Sequence, residues 1–107
     1  MDKKELKAQR HNEGKPGMSM LPMDALIEIA KVLDFGCAKY ERSNWKKGFK
    51  YSSIQDSLLR HYAAFESGED FDKESKLLHT AHLACNALFL LWYQLHPEKG
   101  EDNRYKE

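Results

Sequence analysis

Between Leu77 and Leu95 apolar side chains recur along three rows, 77/84/91, 81/88/95 and 78/85/92, so a helix built here is apolar around most of its circumference. Such a helix is central to its fold or shared with a second subunit. One stripe interrupts it: Ser75, His79, His82 and Asn86 follow at i, i+4, i+7 and i+11 and stack along a single face. Imidazole and amide groups set among apolar rows cost free energy unless each finds a partner. The stripe is therefore either a hydrogen-bond network that fixes helix packing or the wall of a ligand or metal site.

Two more helical patterns precede it. The first opens at Pro22, places Met23, Leu26, Ile27, Ala30, Leu33 and Cys37 on one face, and runs to about Tyr40. Residues 41–51, with Ser43, Asn44 and Gly48, lack helical period and read as an ordered loop. A second helix starts at Ser52 or Ser53 as cap, continues through Ile54, Leu58, Leu59, Tyr62 and Phe65, and stops at Gly68. The third takes Asp72 as its N-cap, with Glu74 and Ser75 in the first turn. The expected architecture is all-α, a compact three-helix protomer in a helical bundle. It is preceded by a mobile charged arm over residues 1–14 and followed, after the helix-stopping Pro97, by a flexible charged tail over 97–107. A core of three helices in 107 residues is marginal alone, which points to a homodimer or larger homo-oligomer.

Charge narrows the partners. Lys plus Arg and Asp plus Glu are each 17, so no bulk field attracts nucleic acid or an anionic membrane, and an anionic ligand must be held locally. The apolar run 84–95 is too short to cross a bilayer, and Met1 to Glu5 lack the apolar region of a secretory signal, so the expected location is the cytoplasm. Cys37 and Cys85 have no Cys-x-x-Cys partner and read as small buried apolar residues.

Chemistry concentrates in three places. Residues 66–74 carry five carboxylates, Glu66, Glu69, Asp70, Asp72 and Glu74. Their mutual repulsion is relieved by a cation, with hard oxygen donors suited to Mg²⁺ or Mn²⁺ and imidazole from His79 favouring Mn²⁺; the plainer reading is a solvated, helix-capping turn. Arg60 and His61 follow Asp56 on the second helix, where Asp56 and Arg60 form a surface i,i+4 pair or Arg60 turns to a carboxylate or phosphate. Lys39, Tyr40, Asn44 and Trp45, with Lys46, Lys47 and Gly48, supply what is needed to stack a base, bind its edge and neutralise phosphate, or else the aromatics plug the core. Lys15 either closes the same pocket or stays solvated.

Lys15-Pro16, Leu21-Pro22, Ala25-Leu26, Gly36-Cys37-Ala38-Lys39-Tyr40, Asn44-Trp45 and Gly48 resemble the first half of the phage dATP/dGTP diphosphohydrolase amino-terminal domain family. Arg60-His61, Gly68-Glu69-Asp70, Asp72, Glu74-Ser75, His79, Ala81-His82, Asn86 and Leu88-Phe89-Leu90-Leu91 resemble its second half, for coverage of about residues 14–93. The resemblance implies a phage protein acting in the host cytoplasm on purine deoxynucleoside triphosphates with a divalent metal, releasing the monophosphate and pyrophosphate. Residues 15–96 then form a helical nucleotide-binding domain. The chain departs from all-α MazG-like pyrophosphatases, which use separated Glu-x-x-Glu and Glu-x-x-Asp pairs. Glu66 and Glu69 have the first spacing, but Gly68 interrupts the helix and no second, separated pair follows. No His-Asp dipeptide supports a histidine-aspartate phosphohydrolase.

Under this reading Glu69, Asp70, Asp72 and His79 hold the ion, and His82 or Glu74 is the base. Lys15, Lys39, Tyr40, Asn44, Trp45, Arg60, His61 and Asn86 bind the nucleotide. Two other functions use the same residues: a non-catalytic phage sponge that sequesters a cyclic nucleotide or ADP-ribose derivative, and a helical dimerisation module whose polar stripe sets register.

Overall fold

The chain is described from a computed structural model that covers residues 8–11 and 13–105; residues 1–7 and 12 of the expected arm lie outside the described residues. The fold consists of α1 (Met23–Lys39), α2 (Tyr51–Glu66) and α3 (His79–Leu95), with short 3-10 turns at Met18–Met20 and Asn44–Lys47. Among the described residues there is no strand, only isolated bridges between Lys50 and Glu101 and between Phe71 and Leu78. The all-α, three-helix expectation holds. α3 packs against both other helices, which is where its apolar girth finds cover.

α1 follows the extended Pro22 and ends where the Tyr40 amide bonds to the Gly36 carbonyl. None of its residues is fully buried. Its inward side is made of Leu26, Ile29, Val32, Leu33 and Phe35, so Met23, Ile27 and Cys37 of the expected apolar face are exposed. The expectation of a buried Cys37 fails for this reason, whereas Cys85 on α3 is buried and its thiol is pushed up to about 12 by that burial.

Both later helices begin without the side-chain caps expected for them. α2 opens at Tyr51, and its first amides are satisfied from far along the chain: Tyr51 N–H donates to the Glu101 carbonyl at 2.9 Å and Ser52 N–H to Asn103 Oδ1 at 3.0 Å. Ser52 is not a cap, because its Oγ accepts from Asn103 Nδ2 at 2.8 Å. The expected stop at Gly68 is present, with φ +101, Gly68 N–H to the Phe65 carbonyl and Glu69 N–H to the Ala64 carbonyl. That pair of bonds is a Schellman ending.

α3 starts at His79, six residues later than the Asp72 cap implied. Asp72 instead organises a doubled-back loop: its Oδ2 accepts from Ser75 N–H, its carbonyl from Lys76 N–H and its amide bonds to the Leu77 carbonyl. Lys76 sits at φ +66, a left-handed conformation that a continuing helix excludes. The first α3 amide is satisfied by the Asp70 carbonyl at 2.8 Å.

The apolar core gathers Tyr51, Ile54 and Tyr93, with Trp45, Phe89, Leu90 and Trp92 packed on it. Residues 97–103, expected to be a flexible tail, are tied back here through Glu101 and Asn103. The fully buried Tyr93 hydroxyl donates to the Trp45 carbonyl at 2.6 Å and receives the Phe49 amide, so it clamps both ends of the turn that leads into α2. Tyr93→Phe deletes the hydroxyl bond to the Trp45 carbonyl, which keeps only the Gly48 amide as donor, an expected loss of about 1 kcal/mol in urea unfolding.

Candidate functional site

A cleft of about 720 Å³ opens between the end of α1, the 40–49 loop, and the faces of α2 and α3, a volume suited to one small-molecule ligand. Lys39, Tyr40, Asn44, Trp45, Arg60, His61, Asp72, Glu74, His82 and Asn86, all singled out from sequence, line it together. Lys15 is exposed and does not. Neither do Glu69, Asp70 and His79, the last of which is buried behind the cleft wall. Phe35, Ser57, Cys85 and Phe89 also line the cleft and were not marked by the sequence; in a linear chain they read only as helix-face residues.

Three histidines from two helices meet at one end. Glu69 Oε2 lies 2.5 Å from His79 Nε2, and His79 Nδ1 lies 2.8 Å from His61 Nδ1. His61 in turn stacks flat on His82, with ring centroids 4.3 Å apart and 5° between planes. His82 Nε2 is 2.7 Å from Ser75 Oγ and 3.9 Å from Asp72 Oδ2. Ser75 therefore meets His82 as the helical spacing suggested, although it sits on the doubled-back loop rather than on α3.

The protonation pattern follows from these contacts. The Glu69 carboxylate accepts from Nε2–H of His79, which leaves Nδ1 of His79 as a lone pair. His61 Nδ1 faces that lone pair, so either a proton lies between the two nitrogens or both face one cation. Donor atoms of His61, Asp72 and His79 all lie within 4.8 Å of one another, within reach of a single ion. A histidine ligand whose second nitrogen donates to a carboxylate is the usual supporting arrangement at metal centres. The residues present thus fit a divalent metal, with two nitrogens and one oxygen as donors, a set suited to Mn²⁺ and other transition ions more than to Mg²⁺.

This redraws the expected ligand set. His61, taken from sequence as a nucleotide contact, joins His79 and Asp72, because only the packing of α2 on α3 brings it there. Glu69 orients His79 instead of joining the group, and the exposed Asp70 contributes its backbone carbonyl to the start of α3. Glu74, one of two expected bases, is ion-paired with Lys39 across the cleft. Lys39 also lies 4.9 Å from the Phe35 ring centroid. Arg60 lines the cleft and forms no ion pair among the described residues, Asp56 included. Trp45 is committed to packing, stacked on Phe89 at 4.7 Å and edge-on to Trp92 at 5.0 Å, so it serves as cleft wall.

Burial first, then the neighbouring imidazoles, lowers the pKa of His61; burial likewise lowers that of His82 against the opposing pull of Asp72. Partial burial works to raise the Asp72 carboxyl, but the Ser75 amide and hydroxyl and the two histidines outweigh it and hold the group below the usual range. In the acid range the unfolded chain therefore binds more protons at all three groups, and stability rises with pH. The metal-free protein is expected to be most stable above the ordinary histidine pKa of about 6.5 and to lose stability as pH falls below it, with a further loss as Asp72 protonates. Thermal melts in EDTA between pH 7.5 and 4 check this; a flat profile across pH 7 to 5 contradicts it.

No helix among the described residues is long and apolar enough to cross a membrane. No solved structure matches the chain. A dATP/dGTP diphosphohydrolase of Salmonella phage PMBT28 is 32% identical over 96 residues, which make up 90% of this chain and 33% of the relative, so the chain spans about a third of that protein's length. Residues 5–104 match the family described as dATP/dGTP diphosphohydrolase, N-terminal, a span that includes all three helices and every residue of the histidine cluster. The chain belongs to the dATP/dGTP diphosphohydrolase N-terminal family.

Proposed function

We propose that the chain is a phage nucleotide-binding domain that hydrolyses purine deoxynucleoside triphosphates between the α and β phosphorus atoms, giving the monophosphate and pyrophosphate, in the cytoplasm of the host. The observation that carries this is the pairing of a two-imidazole, one-carboxylate donor set with a cleft of ligand size whose rim bears Lys39 and Arg60. The name of the Salmonella phage relative supports the same chemistry.

His61, Asp72 and His79 would hold Mn²⁺ or a similar ion, which when bound would neutralise phosphate charge and make water more acidic. The chain's own groups do the rest. Lys39 and Arg60 hold the phosphate chain, Lys39 leaving an exposed ion pair with Glu74 that costs little to break. With Nε2–H of His82 donating to Ser75 Oγ, 2.7 Å away, Nδ1 is left as the basic nitrogen of the imidazole. Water adds to phosphorus, its proton passes to His82 Nδ1, and the bridging oxygen leaves with pyrophosphate.

A homo-oligomer is part of this proposal. Met18, Met20, Met23 and Ile27 are each at least half exposed, and α1 buries none of its residues in the single chain. A second copy seated there covers this row. Light scattering is expected to give a multiple of 12.5 kDa, and Ile27→Asp to lower it.

The deciding assay incubates purified protein with dATP or dGTP and Mn²⁺ and separates products by ion exchange, with His61→Ala as control. Release of dAMP or dGMP with equimolar pyrophosphate, lost in the variant, is the expected result. Intact nucleotide recovered from a denatured complex, with no turnover, overturns hydrolysis in favour of sequestration.

A further inference from the structure

We infer that Asn86, held by Ser57, reads the Watson–Crick edge of the purine and is the residue through which the site accepts both adenine and guanine. This rests on the proposed reading of the cleft as a nucleotide site. Asn86 is 8% exposed and lines the cleft, and its Nδ2 donates to Ser57 Oγ at 3.1 Å. One N–H and the Oδ1 acceptor remain, and Oδ1 has no donor among the described residues. A buried amide with one of its two N–H groups and its oxygen open to a cleft is a recognition group waiting for its complement.

Position gives the complement its chemistry. From His79 to Asn86 the helix rises about 10 Å, a span of the order that separates an α-phosphate from the six-membered-ring edge of a purine. A pyrimidine edge falls short of it. Beyond Asn86, Phe89 stacked on Trp45 closes the cleft with apolar surface suited to a ring face. Adenine offers N6–H as donor beside N1 as acceptor; guanine offers N1–H as donor beside O6 as acceptor. The amide matches either one when its plane turns over, and the Ser57 hydroxyl satisfies both settings, as acceptor from Nδ2 in one and donor to Oδ1 in the other. An aspartate at this position lacks that freedom: it accepts from N1–H and N2–H of guanine together, but opposes N1 of adenine with a second acceptor.

Binding of α,β-methylene dATP, dGTP and dTTP and of inorganic tripolyphosphate to the Mn²⁺-loaded full chain tests this by calorimetry. Asn86→Ala is expected to weaken both purine analogues by about tenfold or more and to leave dTTP analogue and tripolyphosphate unchanged. Asn86→Asp is expected to raise the guanine-to-adenine affinity ratio by about tenfold. Ser57→Ala, which keeps the fold if the buried aspartate does not, is expected to weaken both purines by a few-fold with tripolyphosphate unchanged. Equal loss for tripolyphosphate and purines in Asn86→Ala, or no loss for purines, overturns the inference while leaving the nucleotide site standing. Wild-type protein that binds tripolyphosphate but no nucleotide overturns it as well. Failure of the wild type to bind any of the four overturns the nucleotide site itself.

Discussion

Mn²⁺ supplied about 100-fold above its dissociation constant is expected to stabilise the protein by about 2.7 kcal/mol, a rise of about 10 °C in melting temperature for a domain of this size. The gain comes from donors that only the folded chain brings together, two imidazole Nδ1 atoms 2.8 Å apart beside the Asp72 carboxylate. His61→Ala, Asp72→Ala and His79→Ala each delete a donor and are expected to remove most of the rise. Glu69→Gln keeps the side chain's shape but accepts more weakly from His79 Nε2–H, so its expected cost is about 10-fold to 100-fold in metal affinity. Mg²⁺, which prefers oxygen donors, is expected to stabilise less than Mn²⁺ at equal concentration. Scanning calorimetry on the four variants decides the matter: a full Mn²⁺ shift in His79→Ala removes the metal site, and a Glu69→Gln variant as damaged as His79→Ala makes Glu69 a ligand.

Gly48→Ala is the second change with a large expected effect. Gly48 ends the Asn44–Lys47 turn at φ +108 and ψ +138, in a region that side-chain-bearing residues avoid. A Cβ built there overlaps the backbone carbonyl of Lys99, which belongs to the segment tied back onto α2. Neither strain is relieved by moving a flexible side chain. The expected loss is about 3 kcal/mol or more, from backbone strain of about 1–3 kcal/mol together with displacement of the Lys99 strap. The same substitution shifts Asn44 and Trp45 in the cleft wall, so nucleotide affinity is expected to fall with stability. Thermal melts with and without nucleotide check both; a melting temperature within 2 °C of wild type, on the scale of about 4 °C per kcal/mol, contradicts the strain.

Periodicity carried the helices because it reports a local property. The α3 rows, the Pro22 start and the Gly68 stop are each visible within a few residues. The caps were not, because the donors' partners are remote: Glu101 and Asn103 close the start of α2, and no spacing rule links residue 52 to residue 103. Asp72 misled for a related reason. Its carboxylate does bond to a following amide, as a cap does, but Lys76 in the left-handed region ends that turn before a helix begins.

The site divides the same way. His79, His82 and Asn86 were legible as a stripe because one helix places them, and ten of the residues chosen from sequence line the cleft. His61 needed the α2–α3 contact to become a partner of His79. The acidic run offered five equivalent carboxylates, and only folding sorts them: Glu69 to an imidazole, Asp72 to the cluster, Glu74 to Lys39.

The strap formed by residues 99–103 also sets an order of events. α2 and α3 are joined by residues 67–78 and can pair as soon as both exist, a smaller loop to close than the 48 residues between Trp45 and Tyr93. The turn that carries Asn44 and Trp45 is different: Tyr93 reaches it across 48 residues and Asn103 reaches Ser52 across 51. During synthesis His61 and His79 are therefore both present and free to pair before Asn103, which holds the start of α2, has been made.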